Sequence, residues 1–193
     1  MDNHKERTLI LVHSRYPWVE YANKCGYHID QVFRNVGLYK RVLRKFCMKN
    51  GIDFCMEKWL SDWHESIEQY DTIIVFASVL FKPLFYWIQK KYPQIRVICW
   101  YWDPFSDCKL RFKTDEGIER WSFDDDDCKI HQMNYSKTFF TPRPELTSNE
   151  NQEYSYDVFF VGEDKGRYEK LTKLRDYLNS LGLKTSFTIV RDH

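Results

Sequence analysis

The sequence lacks the short motifs that identify most enzyme classes. It has no Gly-x-Ser-x-Gly nucleophile elbow, no His-Glu-x-x-His pair, no P-loop and no Gly-x-Gly-x-x-Gly fingerprint. Its six cysteines include no Cys-x-x-Cys pair and no histidine at zinc-ligand spacing. We therefore expect free thiols and no metal site.

The sequence also has little net charge and no long apolar run. Its 29 basic and 28 acidic side chains give a formal charge of +1, which argues against a nucleic-acid binder that relies on overall charge. The first apolar run, residues 9–12, is too short for a signal peptide or a membrane span. Together with the expected free thiols, this predicts a cytoplasmic protein.

Core-forming residues are plentiful. Hydrophobic residues make up 43% of the chain, charged residues 30% and aromatic residues 18%. This balance is typical of a folded domain and not of a disordered chain. We expect most aromatic rings to fill the core, with sugar-binding or membrane-facing clusters as the alternative.

Apolar runs alternate with helical periodicity along most of the chain. The runs predict strands at residues 8–13, 52–56, 72–77 and 95–102, with weaker candidates at 119–123 and 137–140. Helical spacing predicts helices from Asp30 to Asn50 and over 84–91, and a short helix capped by Asp124. The alternation predicts an α/β fold with a parallel sheet and flanking helices.

The chain divides into two predicted parts. Residues 1–141 form the first domain, and residues 142–155 are polar and proline-bearing, which is typical of a linker. Residues 156–193 then supply one β-α-β unit, which cannot close a domain by itself. We expect a further C-terminal portion, either on the same polypeptide or on a separately encoded chain.

The first long predicted helix carries an excess of cations. They are Arg34, Lys40, Arg41, Arg44 and Lys45. This set favours a solvated helix face, with contact to an anionic membrane surface as the alternative.

Polar residues follow the first strand at the carboxyl edge of the predicted sheet, where ligands of parallel α/β sheets bind. They are His13, Ser14 and Arg15. His13 can act as a base and Arg15 can hold an anion, and a polar loop without a catalytic role is the alternative.

Trp102 and Asp103 end the fourth strand at the same edge. An aromatic ring beside a carboxylate suits sugar recognition, although burial of the strand explains part of this aromatic cluster. His13 and Asp103 are the two catalytic candidates that the sequence offers.

The loop between the last predicted strand and helix is a candidate anion site. Gly162, Gly166 and the helix that follows direct backbone N–H groups toward a ligand, while Lys165 and Arg167 add positive charge. The alternative is an ordinary β–α turn with solvated basic side chains.

The acidic run Asp124–Asp127 suggests either a site for a divalent cation or the N-terminus of a helix, and the helix N-terminus is favoured.

Three ordered segments carry a resemblance to a known family. Residues 156–167 (YDVFFVGEDKGR), 121–127 (WSFDDDD) and 102–104 (WDP) resemble bacterial GT-B-type glycosyltransferases of capsular polysaccharide and lipopolysaccharide biosynthesis. The resemblance implies two Rossmann-like domains facing one cleft, with residues 1–141 on the acceptor side and 156–193 beginning the donor side. The acidic donor-binding segment that such enzymes carry late in the second domain has no counterpart here.

The resemblance also implies a function and roles for the candidate residues. The completed protein would transfer a sugar from a nucleotide-sugar to a glycan or lipid-linked acceptor, and this chain alone would be inactive. Gly162, Lys165, Gly166 and Arg167 would bind the donor diphosphate, while the acceptor side would include His13, Ser14, Arg15, Trp102 and Asp103. No bound cofactor is implied, and the protein would touch the inner membrane peripherally. The alternative is a non-catalytic α/β binding protein derived from such an enzyme.

Overall fold

The computed structural model describes residues 7–14, 16–53, 55–112, 116–137 and 155–190 of the chain. The chain separates into two compact units, Met1–Pro142 and Arg143–His193, which we call the first and second units. Of the predicted linker, only Ser155 lies among the described residues.

A six-stranded, wholly parallel sheet forms the centre of the first unit. Its strands are β1 (Thr8–Val12), β2 (His28–Gln31), β3 (Thr72–Phe76), β4 (Arg96–Tyr101), β5 (Glu119–Ser122) and β6 (Asn134–Tyr135). They lie side by side in the order β2-β1-β3-β4-β5-β6. The predicted parallel α/β fold, which is Rossmann-like, is thereby confirmed.

Helices lie between most of these strands. They are α1 (Pro17–Lys24), α2 (Leu38–Lys49), α3 (Lys82–Lys91) and α4 (Asp125–His131), with 3-10 segments at Met56–Lys58, Asp62–Gln69 and Val79–Phe81. Helix α3 has a proline in its first turn, a position where the N–H that proline lacks would have no partner within the helix. Helix α4 begins directly after Asp124, which confirms the predicted cap.

Three predicted elements differ from the structure. The helix predicted from Asp30 to Asn50 spans only Leu38–Lys49, because Asp30 and Gln31 pair with β1 as part of strand β2. The second strand lies at His28–Gln31. Of residues 52–56, those that the structure describes are not in a strand, and Met56 begins a 3-10 segment. Strand β2 is a short edge strand in which only Ile29 is buried, so it carries no apolar run. Of the predicted strand 137–140, Lys137 is not in a strand and the rest lies outside the described residues.

Alternate side chains of the central strands supply two hydrophobic clusters, one on each face of the sheet. Leu11 and Val75 belong to the larger cluster, whereas Val12, Phe76 and Trp100 belong to the smaller one beside α1. Each fully buried side chain of this size contributes about 1.5–3 kcal/mol of transfer free energy. Burial on both faces explains why β1, β3 and β4 have continuous apolar sequences.

The second unit is a β-α-β motif among its described residues. It consists of β7 (Val158–Glu163), α5 (Tyr168–Ser180) and β8 (Thr185–Val190), with the two strands parallel. The rings of Phe160 and Phe187 stack across the strands with centroids 5.6 Å apart. Phe159 and Val161 alternate with Phe160 along β7 and are exposed.

Candidate functional site at the carboxyl edge of the sheet

The strand order reverses at β1. The chain runs from β1 to β2 on one side and then returns to β3 on the other. In parallel α/β sheets such a reversal leaves a crevice outside the carboxyl ends of the two strands, and ligands bind there. His13 and Ser14 follow β1 at this point, and Ala77 and Ser78 follow β3.

Aromatic rings form a continuous row beside this crevice. Tyr16 stacks on Trp18 with centroids 5.8 Å apart, and Trp18 stacks on Phe76 at 6.3 Å. Phe76 stacks in turn on Trp102, at 5.3 Å and with 18° between the ring planes. We call Tyr16, Trp18, Phe76 and Trp102 the aromatic row. It joins the loop after β1 to the loop after β4.

Trp102 stands apart from the aromatic residues that precede it on β4. Trp100 and Tyr101 are buried inside the sheet, whereas Trp102 follows the last residue of the strand and is 42% exposed. Burial of the strand therefore explains the first two aromatic residues and not the third. The exposed indole of Trp102, which stacks on Phe76, is therefore a flat apolar surface at the carboxyl edge of the sheet.

His13 lies at the other end of the aromatic row. Its Nδ1 is 3.0 Å from the Tyr16 hydroxyl oxygen and 3.0 Å from the Ser14 hydroxyl oxygen. These contacts orient the imidazole and leave Nε2 as the ring nitrogen for a ligand. Arg15, the third candidate of this loop, lies outside the described residues.

Asp103 is exposed next to Trp102. Within the described part of the chain, its carboxylate forms no hydrogen bond or ion pair with His13, so the two catalytic candidates are not joined as a pair. The structure thus places Ser14, His13 and Trp102 along one edge through the aromatic row. Sequence reasoning missed Tyr16, Trp18 and Phe76, because nothing in the sequence shows that they stack.

The acidic run Asp124–Asp127 forms the cap and the first turn of helix α4. One carboxylate oxygen of Asp124 accepts hydrogen bonds from the backbone N–H groups of Asp126 and Asp127, both at 3.0 Å. Asp127 accepts a hydrogen bond from the Phe105 N–H at 2.7 Å. Across the described ranges, no group of three or more His, Cys, Asp or Glu side chains is arranged to hold a metal ion.

In the second unit, side chains of the loop between β7 and α5 form hydrogen bonds and an ion pair within the loop itself. Asp164 accepts a hydrogen bond from the Tyr168 N–H at 2.6 Å, so a carboxylate occupies the N-terminus of α5. The Arg167 guanidinium donates to the Glu163 carbonyl oxygen at 3.2 Å, and Lys165 lies 3.9 Å from the Glu163 carboxylate. These contacts are those of an ordinary β–α turn, and the assignment of the loop to a diphosphate stays a prediction.

The backbone of this loop turns through two left-handed residues, Lys165 and Gly166. The cations themselves are exposed, and the ion pair between Lys165 and Glu163 is long and solvated. Exposed ion pairs of this kind contribute little free energy, so a phosphate could replace the Glu163 carboxylate beside Lys165 at a small free-energy cost. Asp164 is the stronger obstacle because its negative charge lies where the phosphate would be.

An apolar cavity of about 460 Å³ lies away from the predicted site residues, between the end of α2 and the start of α3. Its lining includes Met48, Leu80 and Tyr86. Burial and the neighbouring Glu116 carboxylate raise the pKa of Tyr86 to about 12. The phenol therefore stays neutral at ordinary pH. Lys49, Asp53 and Lys82 also line the cavity.

All six cysteines are free thiols. Cys99 lies at the centre of β4, where burial raises the pKa of its thiol well above the usual value. A buried neutral thiol of this kind acts as a small apolar side chain and not as a nucleophile.

Comparisons with protein-family models, with curated proteins and with solved structures give no match to this chain. In the described portion, no helix combines the length and the apolar character needed to cross a bilayer.

Proposed function

We propose that the first unit binds a sugar chain at the carboxyl edge of its sheet, as the acceptor side of a cytoplasmic GT-B-type glycosyltransferase of surface polysaccharide biosynthesis. The observation that supports this most directly is the aromatic row ending in the exposed ring of Trp102, beside the point where the strand order reverses. The resemblance of the three sequence segments to such enzymes points in the same direction.

The chemistry of this edge suits a carbohydrate. The apolar face of a pyranose ring stacks on an aromatic side chain, while its hydroxyl groups need donors and acceptors around the rim. Trp102 offers the platform, and Asp103, Ser14 and His13 Nε2 offer polar groups at the same edge. In this proposal the acceptor lies along the row, and His13 is the group best placed to take a proton from an acceptor hydroxyl.

A second candidate function is glycan binding without transfer. The loop of the second unit favours it, because Asp164 occupies the helix N-terminus where a donor diphosphate would lie. In this case the first unit would hold a sugar chain in the same way, and no nucleotide-sugar would bind.

Titration of the full chain with a panel of bacterial surface oligosaccharides, followed by NMR or calorimetry, tests the sugar site. We expect Trp102→Ala to weaken binding by roughly three- to tenfold, the usual worth of one aromatic contact, and Trp102→Phe to restore part of it. Tyr27→Ala is the matched control, since Tyr27 is 39% exposed but precedes β2 at the opposite edge of the sheet. Binding that is equally strong in wild type and Trp102→Ala would place the sugar site elsewhere.

The two candidate functions differ in their second ligand. Addition of a nucleoside diphosphate to the oligosaccharide-bound chain should produce further chemical-shift changes at Lys165 and Gly166 if the chain is glycosyltransferase-like. Oligosaccharide binding without any response to the nucleotide would favour the non-catalytic function.

A further inference from the structure

Helix α2 presents its apolar side to solvent. Five large apolar side chains form a strip along it that is between 42% and 82% exposed; we call Leu38, Tyr39, Val42, Leu43 and Phe46 the α2 strip. Their spacing places them on two adjacent ridges of the helix, four residues apart within each ridge. A helix of a soluble domain ordinarily turns such a strip toward the core.

The opposite side of α2 faces the body of the first unit. Met48 is buried there, and Cys47 is half-buried. The Arg44 guanidinium lies 4.5 Å from the centroid of the Phe33 ring and donates to the Arg34 carbonyl oxygen at 3.0 Å. The helix is therefore held to the unit through Arg44, Cys47 and Met48 and by packing against the 3-10 segment Val79–Phe81, while its most apolar ridges point away.

Positive charge borders the α2 strip. Arg41, Lys45 and Lys49 follow one another at intervals of four residues, so they form the ridge next to Leu38, Val42 and Phe46, and all three are exposed. Lys40 and Arg44 are also on the helix, which contains five cations and no acidic residue. This concentration stands out in a protein whose formal charge is only +1.

We propose that α2 docks flat on an anionic lipid bilayer. The α2 strip would enter the boundary between headgroups and acyl chains, and the ridge of cations would lie over the negative headgroups. Val79 extends the apolar surface, because it is 53% exposed on the 3-10 segment that packs against α2. This inference rests on α2 alone and stands whether or not the aromatic row binds sugar.

Charge favours a bilayer over a second copy of the chain. A symmetric dimer formed through α2 would bring two helices of like charge together, with five cations on each. A lipid surface instead offers both an apolar layer and a dense array of negative charge, which match the two kinds of ridge.

Co-sedimentation with lipid vesicles tests the proposal. The full chain is mixed with vesicles of phosphatidylcholine alone, or of phosphatidylcholine with phosphatidylglycerol, at low and high salt. We expect binding to the anionic vesicles only, weakened by salt. Phe46→Asp, and separately the triple variant Arg41→Gln, Lys45→Gln, Lys49→Gln, should each lower the partition coefficient by about tenfold or more.

Matched controls carry the same chemical changes elsewhere. Ile130→Asp places a carboxylate on the exposed face of α4, where Ile130 is 72% exposed. Lys90→Gln, Lys109→Gln and Lys173→Gln together remove the same charge from other exposed positions. Both controls should bind anionic vesicles as wild type does, and circular dichroism should show that every variant is folded.

Three results would overturn the proposal. The first is that the wild-type chain does not bind anionic vesicles. The second is that the control variants lose as much binding as the α2 variants do. The third is that sedimentation velocity shows a wild-type dimer, which Phe46→Asp converts to a monomer. The last result would assign the α2 strip to a contact between copies.

Discussion

Phe76 supports Trp102 from below, with ring centroids 5.3 Å apart and only 18° between the planes. Phe76 is the last residue of β3 and is buried, whereas Trp102 directly follows β4 and is partly in solvent. The two adjacent parallel strands thus end in one stacked pair. The plane of the exposed Trp102 ring is therefore set by a buried residue of the neighbouring strand.

This relationship predicts that Phe76→Leu weakens oligosaccharide binding several-fold, because Trp102 loses the surface that fixes its plane. The indole N–H signal of Trp102 should shift in NMR spectra of the free variant. Phe85→Leu is the control, since Phe85 is fully buried in the larger cluster against Phe112. It should reduce stability by a similar amount, about 1 kcal/mol, without changing binding or the Trp102 signal.

The paired side chains of Arg96 and Glu119 join β4 to β5 and predict a pH effect. Arg96 Nε and Nη2 donate to the two Glu119 carboxylate oxygens at 2.5 and 2.7 Å, and these bonds lower the pKa of Glu119. Since that pKa is lower in the folded state, the stabilisation is present above the unfolded value of about 4.3 and is lost as the pH falls through the folded value.

Glu119→Gln should therefore lower the free energy of unfolding by at most about 1 kcal/mol at pH 7, since both side chains are well exposed to screening solvent. The difference from wild type should vanish in acid. Urea unfolding at several pH values measures both effects. Glu169→Gln removes a more exposed ion pair, the one with Lys173, and should lower the free energy of unfolding by less. An equal decrease in the two variants would contradict a stabilising role for the Arg96–Glu119 pair.

The cap of helix α4 supplies a prediction about stability. Asp124→Ala removes the acceptor of two backbone hydrogen bonds and should cost about 1 kcal/mol, whereas Asp124→Asn keeps an acceptor oxygen and should cost only a few tenths. Thermal unfolding compares the two variants. Asp126→Ala is a control because its side chain is exposed in the first turn of the helix. A loss in Asp124→Asn as large as in Asp124→Ala would show that charge, not capping, dominates.

The loop of the second unit predicts weak nucleotide binding. Two exposed cations contribute about 0–1 kcal/mol each, while millimolar affinity already requires about 4 kcal/mol, so we expect dissociation constants no tighter than millimolar. Lys165→Ala with Arg167→Ala should abolish the chemical-shift changes caused by a nucleoside diphosphate. Lys173→Ala with Lys184→Ala should leave them unchanged. Micromolar binding would show that the chain contains a more complete donor site.

The two sides of helix α2 show where sequence patterns stop being informative. The four-residue spacing of Leu38, Val42 and Phe46 establishes that they share a face, because α-helical geometry is local. It does not establish which way that face points. Arg44 and Met48 attach the helix to the first unit, and this contact turns the apolar face outward.

The strands divide in the same way. Strands β1, β3 and β4 are predictable because burial on both faces demands a continuous apolar sequence, and the Asp124 cap is predictable because it acts within three residues. Strand β2 is not predictable from the sequence. It lies at the edge of the sheet, where polar residues such as His28 and Asp30 are tolerated, and only its pairing with β1 defines it as a strand.

The sequence by itself determined the parallel α/β class, the helix cap and the candidates His13 and Trp102. Only the tertiary structure decided the strand order, the aromatic row and the outward face of α2, because each depends on contacts between residues far apart along the chain.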